Sequence, residues 1–394
     1  MFKSFYKVNN LVFANKTLAL FHANDNGIPI SNITWHFNDE LLNSSDWSVE
    51  PQLSLNDYYT QRARELREKY DYIIVMCSGG ADSINVVYSF LKNDIHIDEI
   101  FASAPLGGLN NWAYNNHDKS AENTISETKF AQLPFLAEIE RDYPKVKITV
   151  NDYFENILNY KDTDWLIKST DFVQPTTVAR YNLETTKHLQ KLAETNKSVG
   201  VIYGIDKPII QIHLDGKIKN SIIDVAVNVP MTFDIFENFH NELFYWGAHP
   251  DLIIKQCHIL ARWLFLPENK RILDYTVLNG CGFVSKDFTS GTWQRAIVPC
   301  IYPWIKKEIW QVGKNKSNIM SDMDDWFYKT HGKLEIVNMM KGNIADTLGK
   351  LKPEYFNYLN YYHDGKYTKY VSGLKSFFKT FYIGEANEFK KIIN

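Results

Sequence analysis

Between residues 57 and 204 short apolar runs of strand length alternate with longer segments whose apolar residues recur at helical spacing. DYYTQRARELREKY (57–70) predicts a helix, with mixed charges and few breakers. YIIVMC follows and is apolar on both faces, as a central parallel strand requires. After SGGAD, the segment SINVVYSFLKN returns to helical spacing. DEIFASA (98–104) predicts a second strand, 118–142 a long helix and VKITVND (146–152) a third strand. Residues 179–196 predict another helix, and SVGVIYG (198–204) a fourth strand. Such alternation predicts an α/β fold: a parallel sheet flanked by helices and joined by right-handed crossovers.

The flanks follow other patterns. Residues 1–55 read as short strands and turns, a β-rich addition in which LVFANKTLALFHANDNGIPI supplies two apolar runs before the turn at Asn24–Gly27. IIQIHLDGKIKNSIIDVAV predicts a hairpin turning at Asp215-Gly216. From about residue 231 helical and aromatic-rich stretches dominate. The expected organisation is therefore an addition at 1–55, the α/β domain at 56–230, and a helical region at 231–394 that closes over its cleft. There is no repeat or low-complexity linker to tether the last region loosely.

Bulk properties narrow the classes. With 45% hydrophobic residues in 394, the chain can bury a large core and is not disordered. A net charge of −3 disfavours, without excluding, a nucleic-acid partner. The four cysteines form no CxxC pair, which argues against a structural zinc site and fits a reducing, cytoplasmic setting. No apolar leader and no long apolar run is present, so neither a signal peptide nor a membrane partner is expected. The last stretch, 361–394, is basic with interleaved aromatics; it reads as an amphipathic tail more readily than as a site for an acidic partner.

The strongest chemical signal is Cys77-Ser78-Gly79-Gly80-Ala81-Asp82-Ser83, set between a buried-type strand and an amphipathic helix. Gly79 and Gly80 allow a sharp turn and close backbone approach to phosphate oxygens. The amides and dipole of the following helix favour an anion. Ser78 and Ser83 can donate to a pyrophosphate, and Asp82 can cap the helix or hold Mg²⁺. No GKS or GKT follows, so this is not a Walker loop, and it is not GxGxxG.

The SGGxDS pattern after the first strand resembles the PP-loop ATP pyrophosphatase superfamily, which includes the synthetase domain of asparagine synthetase. The resemblance covers about half the chain well and implies a HUP-like parallel sheet. It also implies that the loop grips the β- and γ-phosphates of ATP while the α-phosphate stays open to an acceptor oxygen. AMP is transferred, pyrophosphate leaves, and a nitrogen nucleophile then displaces AMP. Positioning and charge neutralisation by Mg²⁺, Lys and Arg carry such catalysis. Ser103, at the end of the second strand, corresponds to a position that contacts adenine, or is a plain strand exit. Gly204 and Asp206 end the fourth strand, where the family faces the nucleotide. Asp206 is a candidate metal ligand beside Asp82, and Lys207 a candidate partner of the leaving pyrophosphate; a solvated turn is the alternative. Arg180 either reaches the substrate or AMP, or is a surface residue.

Weaker candidates lie elsewhere. Glu127 and Lys129 read as a solvated face. Lys255 and His258 share a helical face that points into the cleft or into the core. Tyr302-Pro303-Trp304 and Lys306-Lys307 cover a nucleotide or, more readily, pack. Residue 2 is Phe rather than a nucleophilic Cys, and the segment before the loop is too short for a glutaminase domain. The resemblance then implies free ammonia, an amine, or ammonia from a separate partner. The absence of CxxC pairs lowers the case for cluster-dependent thiolation. The leading expectation is an asparagine synthetase-like ligase acting on a small-molecule or nucleotide acceptor. A nucleobase- or nucleotide-modifying enzyme and a non-catalytic ATP-binding protein are the alternatives.

Overall fold

The structure, a computed structural model, describes residues 4–104, 106, 128–152, 186–205, 207–224, 236–247, 249–270, 272–274, 297–305, 351–363 and 366–393. The first three strands, β1 (Ser4–Val8), β2 (Leu11–Phe13) and β3 (Ile33–Phe37), form an antiparallel sheet in the order β2-β1-β3. Alternation sets its inner face: Ile33, Trp35 and Phe37 of β3 are buried. The second apolar run of this region is a helix, α1 (Lys16–Asp25), where a strand was expected. Asn15 starts it by accepting the Leu18 amide, and Ala19, Leu20 and Ala23 then recur on one buried face at helical spacing. A short helix, α2 (Asp39–Ser44), follows β3.

Helix α3 (Leu55–Lys69) opens with a capping box between Ser54 and Asp57 and buries Tyr59, Ala63 and Leu66. The chain then builds the α/β core: β4 (Tyr72–Met76), α4 (Ala81–Leu91), β5 (Glu99–Ala104), α5 (Leu133–Asp142), β6 (Lys147–Asp152), α6 (Lys187–Ala193) and β7 (Val199–Tyr203). All five residues of β7 and the last four of β4 are buried, which is why these runs are apolar throughout. The turn at Asp215-Gly216 joins β8 (Ile209–Ile212) to β9 (Lys217–Ile223) as an antiparallel hairpin. A further strand, β10 (Phe239–Leu243), then returns to the central sheet. Five parallel strands thus lie in the order β6-β5-β4-β7-β10. The chain moves outward from β4 through β5 to β6, comes back to place β7 on the other side of β4, and continues outward to β10.

The region after residue 231 is mixed where a helical one was expected. Besides β10 and helix α7 (Asp251–Leu264), it supplies the hairpin β11 (Phe356–His363) and β12 (Lys366–Leu374). It also supplies β13 (Phe378–Glu385) and helix α8 (Ala386–Ile393). Strand β13 adds to the outer side of β9, giving the order β13-β9-β8. Phe381 and Ile383 alternate with an exposed Tyr382, the period-two signature of a half-buried strand. Of the tail's aromatics, Phe381 and Phe389 are buried, whereas Phe378 and Tyr382 are exposed.

One face of α7 clasps the segment before α3. Lys255 donates to the Pro51 carbonyl at 2.9 Å and meets Glu50 at 2.8 Å. His258 Nε2 lies 3.0 Å from the Trp47 carbonyl, and Arg262 pairs with Glu50 at 2.9 Å. Lys255 and His258 therefore anchor residues 47–51 and do not point into a cleft. Burial works to raise the pKa of Glu50, but hydrogen bonds from Arg262 and Lys255 overcome it and hold the group at about 2, against an ordinary 4.5. A depressed folded-state pKa means that the stabilisation is complete above pH 4.5 and is lost as pH falls through about 2. Solvent screening at this partly exposed site reduces it to roughly 1–2 kcal/mol. Urea titrations from pH 5 to pH 2 are expected to show this loss, and Glu50→Gln to flatten the profile over that window.

Candidate functional site

Strands β4 and β7 pair in parallel register, with Met76 opposite Tyr203. Cys77 and Gly204 consequently leave the sheet side by side, on the two flanks of the point where strand order reverses. In open α/β sheets that crevice, beyond the carboxyl ends of the strands, is where ligands bind. Two glycines let its walls close up. Gly79 has φ +75°, and a Cβ there would lie 2.5 Å from Cα of Gln132. At Gly204 a Cβ would lie 2.8 Å from the carbonyl of Asp82. Any larger residue at either position would force the backbones apart.

The serines of the loop brace it. Ser78 Oγ accepts the Gly80 amide at 3.1 Å, Ser83 Oγ donates to the Gly80 carbonyl at 3.0 Å, and the two hydroxyls lie 3.4 Å apart. Gly80 is the N-cap of α4, and no side chain caps that end. The first amides of the helix and the positive end of its dipole therefore belong to the loop.

Asp82, in the first turn of α4, meets Lys207 from the loop after β7. The Lys207 ammonium donates to both carboxylate oxygens, at 2.6 and 2.5 Å. The two candidates proposed from separate segments are thus joined as an ion pair, with the lysine side chain 5% and the aspartate side chain 15% exposed. Two tyrosines close on the same aspartate. Tyr302 donates its hydroxyl to Asp82 Oδ1, and Tyr245 donates to the Asp82 backbone carbonyl at 2.8 Å. Their rings stack with centroids 5.8 Å apart, and Asn85 donates to the Tyr245 hydroxyl at 3.2 Å. Burial, and then the negative charge of Asp82, push the Tyr302 hydroxyl well above its ordinary pKa. Tyr245 is raised too, by burial first and then by its neighbours Tyr59 and Asp82. Both phenols are thereby kept as protonated donors.

Gln132 forms the third wall. Its Nε2 donates to the Cys77 carbonyl at 2.8 Å and approaches the Ser103 carbonyl at 3.4 Å, bridging the ends of β4 and β5. Ser103 therefore borders the crevice through its backbone. Cys77 is buried beneath the loop, with Ser83 Oγ 3.9 Å from its sulfur. Asp206, Arg180, Glu127 and Lys306-Lys307 lie outside the described residues. Among the described residues no three His, Cys, Asp or Glu side chains cluster so as to hold a metal ion. Sequence reasoning passed over Gln132, Asn85 and Tyr245, and it read Tyr302 mainly as packing. Tyr302 is both buried, at 1% exposure, and in contact with Asp82.

Compared with known proteins by sequence, the chain matches no family model and no curated protein. The fold itself is a Rossmann-like α/β architecture, with a central parallel sheet between helices. Such a frame is broadly consistent with nucleotide-binding and ligase superfamilies. No helix among the described residues is long and apolar enough to cross a membrane.

The contact at Gly204 provides a direct check on this geometry. Gly204→Ala is expected to destabilise the fold by about 1–3 kcal/mol, the usual cost of overpacking. A urea midpoint unchanged from the parent protein would show that the two loops do not touch.

Proposed function

We propose that the chain binds ATP at the switch point between β4 and β7 and cleaves it between the α- and β-phosphates, transferring AMP to an acceptor. The observation that carries this reading is the SGGADS loop at the carboxyl end of β4, in contact with Gly204 and Lys207 beyond the end of β7. A glycine turn, the positive end of a helix dipole and an ammonium group together suit an anionic, multiply charged ligand.

In this reading the backbone of Ser78–Ser83 holds the outer two phosphates, and Ser103 and Gln132 border the adenine side. Lys207, held against Asp82, neutralises the departing pyrophosphate. The acceptor is a carboxylate or carbonyl oxygen. It forms a bond to the α-phosphorus as the bond to the bridging oxygen breaks, and the electron pair leaves with pyrophosphate. Ammonia or an amine then displaces AMP and forms the C–N bond, with no glutaminase segment assigned to this chain.

A hard, oxygen-seeking cation suits a carboxylate beside the phosphates, and Asp82 supplies one. Asp82, with Asp206 as a second candidate, would hold Mg²⁺, which supplies charge neutralisation on the phosphate oxygens. Arg180 is assigned to the acceptor or to AMP.

The test is product analysis. Incubation with ATP, Mg²⁺ and a panel of amino acids, amines, nucleotides and RNA is expected to release AMP and pyrophosphate when the acceptor is present. Asp82→Ala is expected to lose most turnover, about a hundredfold or more. ADP and orthophosphate as products, or full activity in that variant, would overturn the assignment.

A further inference from the structure

Nothing in the SGGxDS pattern calls for a group on the segment 297–305, yet that segment reaches the centre of the crevice. Tyr302 donates to Asp82 Oδ1 while Lys207 donates to both oxygens of the same carboxylate. The tyrosine is itself supported from two sides. Its amide bonds to the Val298 carbonyl at 2.9 Å, and its ring lies on Tyr245. Tyr59 of α3 donates to the adjacent Ile301 carbonyl at 2.5 Å, and Gln256 of α7 donates to the Tyr59 hydroxyl at 2.7 Å. Three buried tyrosines and two helices thus fix a single hydroxyl against one carboxylate.

We propose that Tyr302 is a positioning residue: its hydroxyl sets the Asp82 carboxylate in the orientation that presents the Lys207 ammonium to the ligand's outer phosphates. This rests on the ATP reading above and extends it to a residue outside the loop. A carboxylate with a single cationic partner can swing with it. One that also accepts a phenol from a rigid stack keeps a fixed orientation and shares its charge, so the lysine is held in place but less tightly neutralised. Tyr245 complements this by holding the backbone of the same residue, so side chain and main chain of Asp82 are fixed by neighbouring, stacked rings.

The experiment is a double-mutant cycle read by equilibrium binding of ATP and of AMP, each with Mg²⁺, to the full chain. Tyr302→Phe retains the ring stack and removes only the hydroxyl; circular dichroism and a urea melt check that it folds. ATP affinity is expected to fall about tenfold in Tyr302→Phe and about tenfold in Lys207→Gln. The double variant is expected to bind as Lys207→Gln does, because the tyrosine acts through the lysine. AMP, which lacks the outer phosphates, is expected to bind all four proteins within twofold. Equal losses for ATP and AMP would mean general structural damage, and additive losses would mean independent roles; either overturns the proposal, as does unchanged ATP binding in Tyr302→Phe. If the unmutated chain fails to bind ATP, the ATP reading itself has failed. That outcome is distinguishable from a cycle in which the parent binds and Tyr302 is silent.

Discussion

The parallel pairing of β4 with β7 is the constraint on which the crevice depends. Five residue pairs, from Tyr72 with Val199 to Met76 with Tyr203, hold two strands whose following loops must emerge together. The connections beyond them diverge, to β5 on one side and toward β10 on the other, and this opens a crevice between those loops. The space is then filled by whatever the loops carry, here a glycine turn, an aspartate and a lysine. Gly79 and Gly204 are small because two backbones, of Gln132 and of Asp82, occupy the volume a side chain would need.

Buried charge is handled by the same rule in several places, and the comparison clarifies Asp82. Glu99, fully buried at the start of β5, accepts from Tyr72 at 3.0 Å, Lys147 at 3.0 Å and His188 at 2.7 Å. Glu242 of β10 accepts from Arg62 at 3.0 Å and from Lys69 and Tyr70 at 2.6 Å. Each carboxylate combines at least one lysine or arginine with a tyrosine hydroxyl, which offsets desolvation that a single partner would not cover. Asp82 has a similar partner set, with the difference that it stands at the open end of the switch point. Glu99 and Glu242 tie strands and helices together; Asp82 ties together two loops.

Much of the α/β core was legible in sequence because its signals are local. YIIVM and VGVIY are apolar throughout since both faces of a central strand are covered, and the glycine-serine loop follows directly. Asp82 and Lys207 were legible as candidates because each closes a strand–loop unit, though nothing local told that they pair. The strand reading of LALFHAND failed because Asn15 caps a helix whose apolar face is nearly continuous, so periodicity alone was ambiguous. Strand β10 and the tyrosine pair escaped because their roles depend on contacts far along the chain. Tyr302 lies 220 positions from Asp82, and no spacing rule connects them.

The placement of β13 on β9 has a consequence for how the crevice comes into being. Lys207 stands just before β8, and the Ile209 amide at the start of that strand donates to the Asn220 side chain of β9 at 3.0 Å. Strand β9 finds its second neighbour in residues translated long after the loop. A nascent chain that has already made both catalytic candidates therefore still carries a hairpin with one open side. The hairpin that carries the lysine's footing is thus closed on its outer side by residues about 160 positions further along the chain.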